Sequence, residues 1–201
     1  MALVPSVAET RRSLAASYDL FRGREAGLAK LDRTVDGFFR SFGVIALLLP
    51  LNAVLVVAEM RLVERAGTVP AEELSFSAFA VLKFAALAVD WLAFPVLLAL
   101  FAGWLGVGRT YVSYVVARNW AAPLAMSLSA IPAILFAGGL VGEELAVIVF
   151  LVVLALVLRY HYMILRIALK VDPPVALALV IGDLVLSILI AETFAGFGPA
   201  G

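Results

Sequence analysis

Five long apolar runs, separated by short stretches of charged and turn-forming residues, organise this 201-residue chain. They predict an all-α, polytopic membrane helix bundle with five transmembrane helices, because about 20 mostly apolar residues suffice to cross a bilayer. The spans are predicted over residues 41–58, 76–105, 119–140, 145–165 and 173–191, giving a transmembrane bundle over 41–191 and a short external tail over 192–201. Pro50 falls inside the first span, and Pro123 and Pro132 inside the third. Only 14 residues separate Glu144 from Arg159 in the fourth. Arg159 must therefore snorkel to the interface, where Tyr160, His161 and Tyr162 form an aromatic belt. Pro173 and Pro174 open the fifth span, where a missing N–H costs a helix little, with Asp172 as cap.

The first 40 residues form an amphipathic arm with a different pattern. Ser6 and Glu9 have capping-box spacing and predict a helix running to Arg22, broken at Gly23. A second stretch places Leu28, Leu31, Val35, Phe38 and Phe42 on one helical stripe, with Lys30, Asp32, Arg33 and Asp36 on the other faces. Two settings fit such a helix: the headgroup region of the bilayer, or the cytoplasmic loops of its own bundle.

Composition agrees with the pattern. Hydrophobic residues make up 64% of the chain and the mean hydropathy is +1.09, whereas a soluble domain is about half apolar. A net charge of zero gives no reason to expect a nucleic-acid partner. With no Cys, disulfides, thiolate metal sites and Cys nucleophiles are excluded, and the single His161 cannot build a multi-His site. No metal or cofactor is implied. The arm lacks a continuous apolar core, so the first span is expected to act as an uncleaved signal. Charge sets the orientation. The arm (seven), the 2–3 connection (Arg109, Arg118) and the 4–5 connection (Arg159, Arg166, Lys170) carry twelve Lys/Arg, against two, Arg61 and Arg65, on the opposite side. That bias predicts a cytoplasmic N-terminus and an external C-terminus, and the Ala/Leu/Val/Arg-rich usage points to a bacterial inner membrane.

Small residues recur at every fourth position of the third span, at Ala121, Ala125, Ser129, Ala133 and Ala137, and the second span ends on Ala99, Ala102, Gly103 and Gly106. Such stripes let helix backbones approach closely. They predict packing within the bundle, or a homo-oligomer or partner interface. Charges inside spans cost about 2.5–3.5 kcal/mol each and so pair or line a polar path. Helix rise puts Lys83 and Asp183 at similar depths and predicts an ion pair between them. Asp90, two turns from Lys83, is expected to meet Asn52 of the first span. A register-fixing clamp is the simpler use of these groups, and a transport path the alternative. Glu59, Arg61, Glu64 and Arg65 read as a solvated helical extension with local ion pairs. Glu143 and Glu144 suit the positive start of the fourth helix. Trp104 and Trp120 are expected to be interfacial anchors.

Catalytic signatures are missing: the chain has no HExxH, GxSxG, P-loop or GxGxxG. Gly182-Asp183 is half of the Gly-x-Gly-Asp motif of intramembrane aspartyl proteases, but position 180 is Val and Asp90 follows Val89 rather than Tyr.

Three segments together resemble the Yip (Ypt-interacting protein) domain family. They are Leu20-Phe21-Arg22-Gly23 with the helix that follows; Gly103 to Arg109 and on from Tyr111 to Pro123; and Arg159 to Lys170 leading into Pro173-Pro174-Val175-Ala176. The resemblance implies five spans with a cytoplasmic N-terminus, of bacterial type, and transfers no catalytic residue and no GTPase partner. The expectation is a non-enzymatic scaffold or accessory subunit that binds membrane lipids and other integral membrane proteins. The alternative is a small transporter or channel using Lys83, Asp90 and Asp183.

Overall fold

The computed structural model describes residues 5–66 and 75–197. Among these the chain is helical throughout: α1 (Val7–Phe21), α2 (Ala26–Ala29), α3 (Val35–Phe42), α4 (Ile45–Ala66), α5 (Phe76–Phe101), α6 (Tyr111–Ala137), α7 (Glu143–Ile164) and α8 (Pro173–Ala195). A π-helical turn, Leu165–Leu169, extends α7. Five segments are long and apolar enough to cross a membrane: Val35–Glu64, Phe76–Phe101, Tyr111–Ala137, Glu143–Leu169 and Pro173–Ala195. The chain has the build of a multi-pass membrane protein.

The observed ends differ from the expected ones in ways that matter for the polar residues. The third helix starts at Tyr111 rather than 119, so Arg118 lies two turns inside it. The fifth continues to Ala195, past 191, while the second stops at Phe101, short of 105. The side chain of Arg65 and tail residues 198–201 lie outside the described residues.

The centre of the bundle is α6, with α4 along one side and α7 along another, while α5 packs mainly on α8. Ala121 is fully buried and Ala125 and Ala137 nearly so, but between them Ser129 is exposed and Ala133 half-buried. The expected smooth stripe is therefore not one seam. Steps of four residues rotate about 40° on a helix of 3.6 residues per turn, so over 16 residues the row winds to another face. Gly103 and Gly106 lie beyond the end of α5, are exposed, and have open space where a Cβ would stand. They form a turn rather than a helix-packing surface, with Gly106 at φ +69°. Ala121→Leu should cost about 1–3 kcal/mol by overpacking, while Ser129→Leu should stay within about 0.5 kcal/mol. Unfolding of the two variants in detergent checks the contrast.

The arm folds onto its own bundle, at what we call the arm end. Ser6 caps α1 by accepting from the Glu9 N–H (3.2 Å). The buried face of α1, at Ser13, Ala16, Ser17 and Leu20, rests on α6 and α7. The predicted second amphipathic helix is broken into α2 and α3 between Lys30 and Thr34, where the Thr34 hydroxyl starts α3 by accepting from the Gly37 N–H (3.1 Å). Leu28 and Leu31 are buried, but Val35 is exposed. Gly27 lets α2 close on α1, since a Cβ there would stand 2.6 Å from the Ala16 carbonyl.

Ion pairs fasten the arm further. Arg40 bridges Glu9 and Asp32, and Asp19 binds Lys30 (2.6 Å) and Arg24 (3.4 Å). Hydrogen bonds from Thr34 hold the Asp32 carboxyl below its usual 3.8, and the bond from Lys30 does the same for Asp19. A carboxylate with a depressed folded pKa stabilises the fold above its unfolded value, and that contribution is lost as pH falls through the folded one. The arm should therefore loosen below about pH 3.8, the usual carboxyl value, read as faster amide exchange in α2 and α3. Asp32→Asn should remove part of that pH dependence.

Candidate functional site

The four helices α5 to α8 converge on one charged cluster. Its construction starts with Pro95, inside α5. A proline has no N–H, so the carbonyl four residues earlier, that of Trp91, loses its helical partner. In a bilayer such a carbonyl must find another donor. Arg118 of α6 supplies it, with Nη1 donating to the Trp91 carbonyl at 3.4 Å. The other amino group, Nη2, lies 3.2 Å from Asp183 Oδ1 of α8. The Phe94 ring packs on the guanidinium, 5.8 Å from its carbon to the ring centre, an attractive arrangement for a cation. The second Asp183 oxygen faces His161 Nδ1 of α7 at 3.5 Å. One turn along α8, the Ser187 hydroxyl donates to Asp90 Oδ1 of α5 at 2.6 Å.

Burial explains why these partners are obligatory. The side chains of Arg118 and Asp183 are 11% and 9% exposed, whereas that of His161 is 28% exposed. Arg118 Nε and Trp91 Nε1 are buried donors without a protein acceptor among the described residues. The stripe Ala176, Val180, Asp183, Ser187 turns α8 inward, so one heptad-like row supplies both apolar contact and the two polar groups.

The expected Lys83–Asp183 pair does not form. Asp183 pairs with Arg118, and Lys83 pairs with Glu59 of α4, its ammonium also 5.2 Å from the Phe79 ring centre. Depth is the reason. Lys83 is seven residues from the Phe76 end of α5, and Asp183 is twelve from the Ala195 end of α8. At 1.5 Å per residue they stand about 8 Å apart in height. Glu59, seven residues from the Ala66 end of α4, matches Lys83. Glu59 thus ties two helices together rather than pairing along its own. Asp90 likewise takes Ser187 and not Asn52. Asn52 is buried with its Nδ2 unpartnered, because α4 packs chiefly on α6 and α5 on α8.

Other residues serve differently from their expected roles. Tyr160 is fully buried against α1, and His161 faces Asp183, so the expected aromatic belt is not built there. Arg159, expected to snorkel to the interface, donates to the Phe21 carbonyl (3.0 Å) at the end of α1. Trp120 is 2% exposed and belongs to the core, whereas Trp104 is 84% exposed. Ser41, at the end of α3, donates to the Phe38 carbonyl and accepts from Asn119 of α6 (2.9 Å), a polar tie with no counterpart in the expectations.

No family model, no curated protein and no solved structure matches the chain. The cluster's chemistry therefore stands on its own geometry. It holds two carboxylates, one permanent cation and one imidazole across four helices. These groups can lock helices together.

Proposed function

We propose that this chain is a non-enzymatic integral membrane protein that serves as a scaffold or accessory subunit, binding lipids and other membrane proteins. It sits in the bacterial inner membrane with its N-terminus and arm in the cytoplasm, and its organisation is that of the Yip-like five-span proteins. The observation that carries this reading is how the intramembrane charges are spent. Arg118 with Asp183, Asp90 with Ser187 and Lys83 with Glu59 each join two different helices. Charged side chains used this way fix helix register, at the expense of an open polar route. With Arg118 set aside as a buried residue of α6, eleven Lys and Arg against two support the orientation. Purification in gentle detergent at native expression level, with particle mass and co-purifying chains identified, tests the reading. One recurrent stoichiometric partner is the expected result, and a lone monomer would count against it.

One observation favours a proton-coupled transporter as the second reading. His161, 28% exposed, is less buried than the Arg118–Asp183 pair and faces the same carboxylate that neutralises Arg118. Flux in proteoliposomes that Asp183→Asn abolishes, with the variant still folded, would establish transport. Folded wild-type protein without ion, proton or lipid flux would dismiss it.

A further inference from the structure

A second feature lies on the lipid-facing side of the cluster. Between α5 and α8, at the arm end, runs an apolar groove of about 490 Å³, with Phe94, Phe101, Trp104, Val175, Ala178 and Leu179 in its lining. That volume is within the range of small-ligand sites, about 300–1,000 Å³. The groove has a clear origin. The chain leaves α5 after Phe101 and turns away, and α8 begins at Pro173 and presents the small Ala178 where a larger side chain would close the gap. Its inner end is Phe94, whose ring also covers the Arg118 guanidinium.

The arm-end mouth carries two cations, Arg109 and Lys170, against one carboxylate, the exposed Asp172 just before Pro173. The Thr110 hydroxyl donates to the Leu169 carbonyl (2.8 Å), which brings the α5–α6 connection against the segment before α8. The next residues, Arg109 and Lys170, are both exposed, and among the described residues neither has a carboxylate within ion-pair distance. Each is four residues from a groove-lining residue, Leu105 or Pro174. Lys170 also holds a left-handed conformation, φ 60°, which glycine would adopt without strain. A lysine kept at such a position is a reason to look for a task for its charge. Trp104, 84% exposed at the same mouth, has the amphipathic ring suited to the headgroup boundary.

We propose that this groove is a phospholipid site, with an acyl chain laid along Phe94 and Leu179 and an anionic headgroup held between Arg109 and Lys170. Basic residues at the end of a cleft between spans are a recurrent way to select anionic lipid. The proposal goes beyond the scaffold reading and does not depend on it, since a transporter would hold a structural lipid equally well.

Native mass spectrometry of the full chain, released from nanodiscs of equal phosphatidylglycerol and phosphatidylcholine, tests it. The wild type should retain one phosphatidylglycerol per chain. Ala178→Trp, which fills the groove from an exposed position, should reduce the retained lipid at least tenfold. The double variant Arg109→Gln, Lys170→Gln should still retain lipid but lose the preference for the anionic one. Wild-type protein that takes both lipids in proportion to supply overturns the proposal, as does an Ala178→Trp variant that retains lipid unchanged. If Ala178→Trp does not fold, the double variant decides alone, and an unaltered preference overturns the headgroup assignment.

Discussion

Asp183→Leu should lower the stability of the folded chain by about 3–5 kcal/mol, and adding Arg118→Leu should recover most of the loss. Removing one partner of a buried pair leaves the other charge uncompensated, at about that cost, whereas replacing both by apolar groups of similar size is often neutral or better. The Arg118 side chain is only 11% exposed and stands two turns inside α6, where an unpaired charge is costly. The single variant would strand its guanidinium with only the long 3.4 Å bond to the Trp91 carbonyl. Asp183→Asn should fall between, since the amide oxygen still accepts from Arg118.

Unfolding of the purified chain in detergent, by heat or by added SDS, gives the cycle. An Asp183→Leu variant as stable as the wild type would show that the pair holds nothing together. A double variant as unstable as the single one would show that leucine at 183 fails for reasons of shape. The same proteins separate the two functional readings. A clamp residue loses stability when replaced, whereas a proton-path residue can leave the fold intact and stop flux.

The spans were legible because about 20 consecutive apolar residues admit few other structures. The arm's first helix was legible because Ser6 and Glu9 carry a capping signal. The pairing inside the bundle was much less so. Arg118 follows a run of polar and aromatic residues, from Arg109 to Tyr114, that reads as a connection, yet Tyr111, Tyr114, Val115 and Arg118 already have helical spacing. Pro95 was the overlooked signal: a proline deep in an apolar helix frees a carbonyl, and a lone arginine is a natural donor to it. Lys83 was misassigned because depth was reckoned from a helix end four residues short of the real one. An error of one turn, about 5.4 Å, is enough to exchange ion-pair partners. The small-residue row misled for a related reason, since a repeat of four drifts around the helix and cannot mark one face for long.

The arm's attachment gives the other large effect. Tyr160→Ala should destabilise the chain by about 3–5 kcal/mol, the usual cost of truncating a large buried aromatic side chain, and release α1 from the bundle. Tyr160 is fully buried. Its ring meets Phe21 edge to face at 5.3 Å and 84°. Its phenol donates to the Ser17 carbonyl (2.8 Å), and the Ser17 hydroxyl, 2.6 Å away, donates back to the phenol oxygen. One side chain of α7 therefore supplies packing and two hydrogen bonds to α1. Tyr160→Phe keeps the ring and removes the bonds, and should cost about 1–3 kcal/mol because the buried Ser17 hydroxyl is left without its partner, while the Ser17 carbonyl keeps its helical bond. Amide exchange in residues 7–21 is the measurement that distinguishes release of the arm from general unfolding. In Tyr160→Ala, exchange should rise across α1 while the inner turns of α6 stay protected. Equal acceleration in both would mean that the arm and the spans unfold as one unit, and unchanged exchange in α1 would mean that Ala16 and Leu20, both fully buried, hold it without the tyrosine.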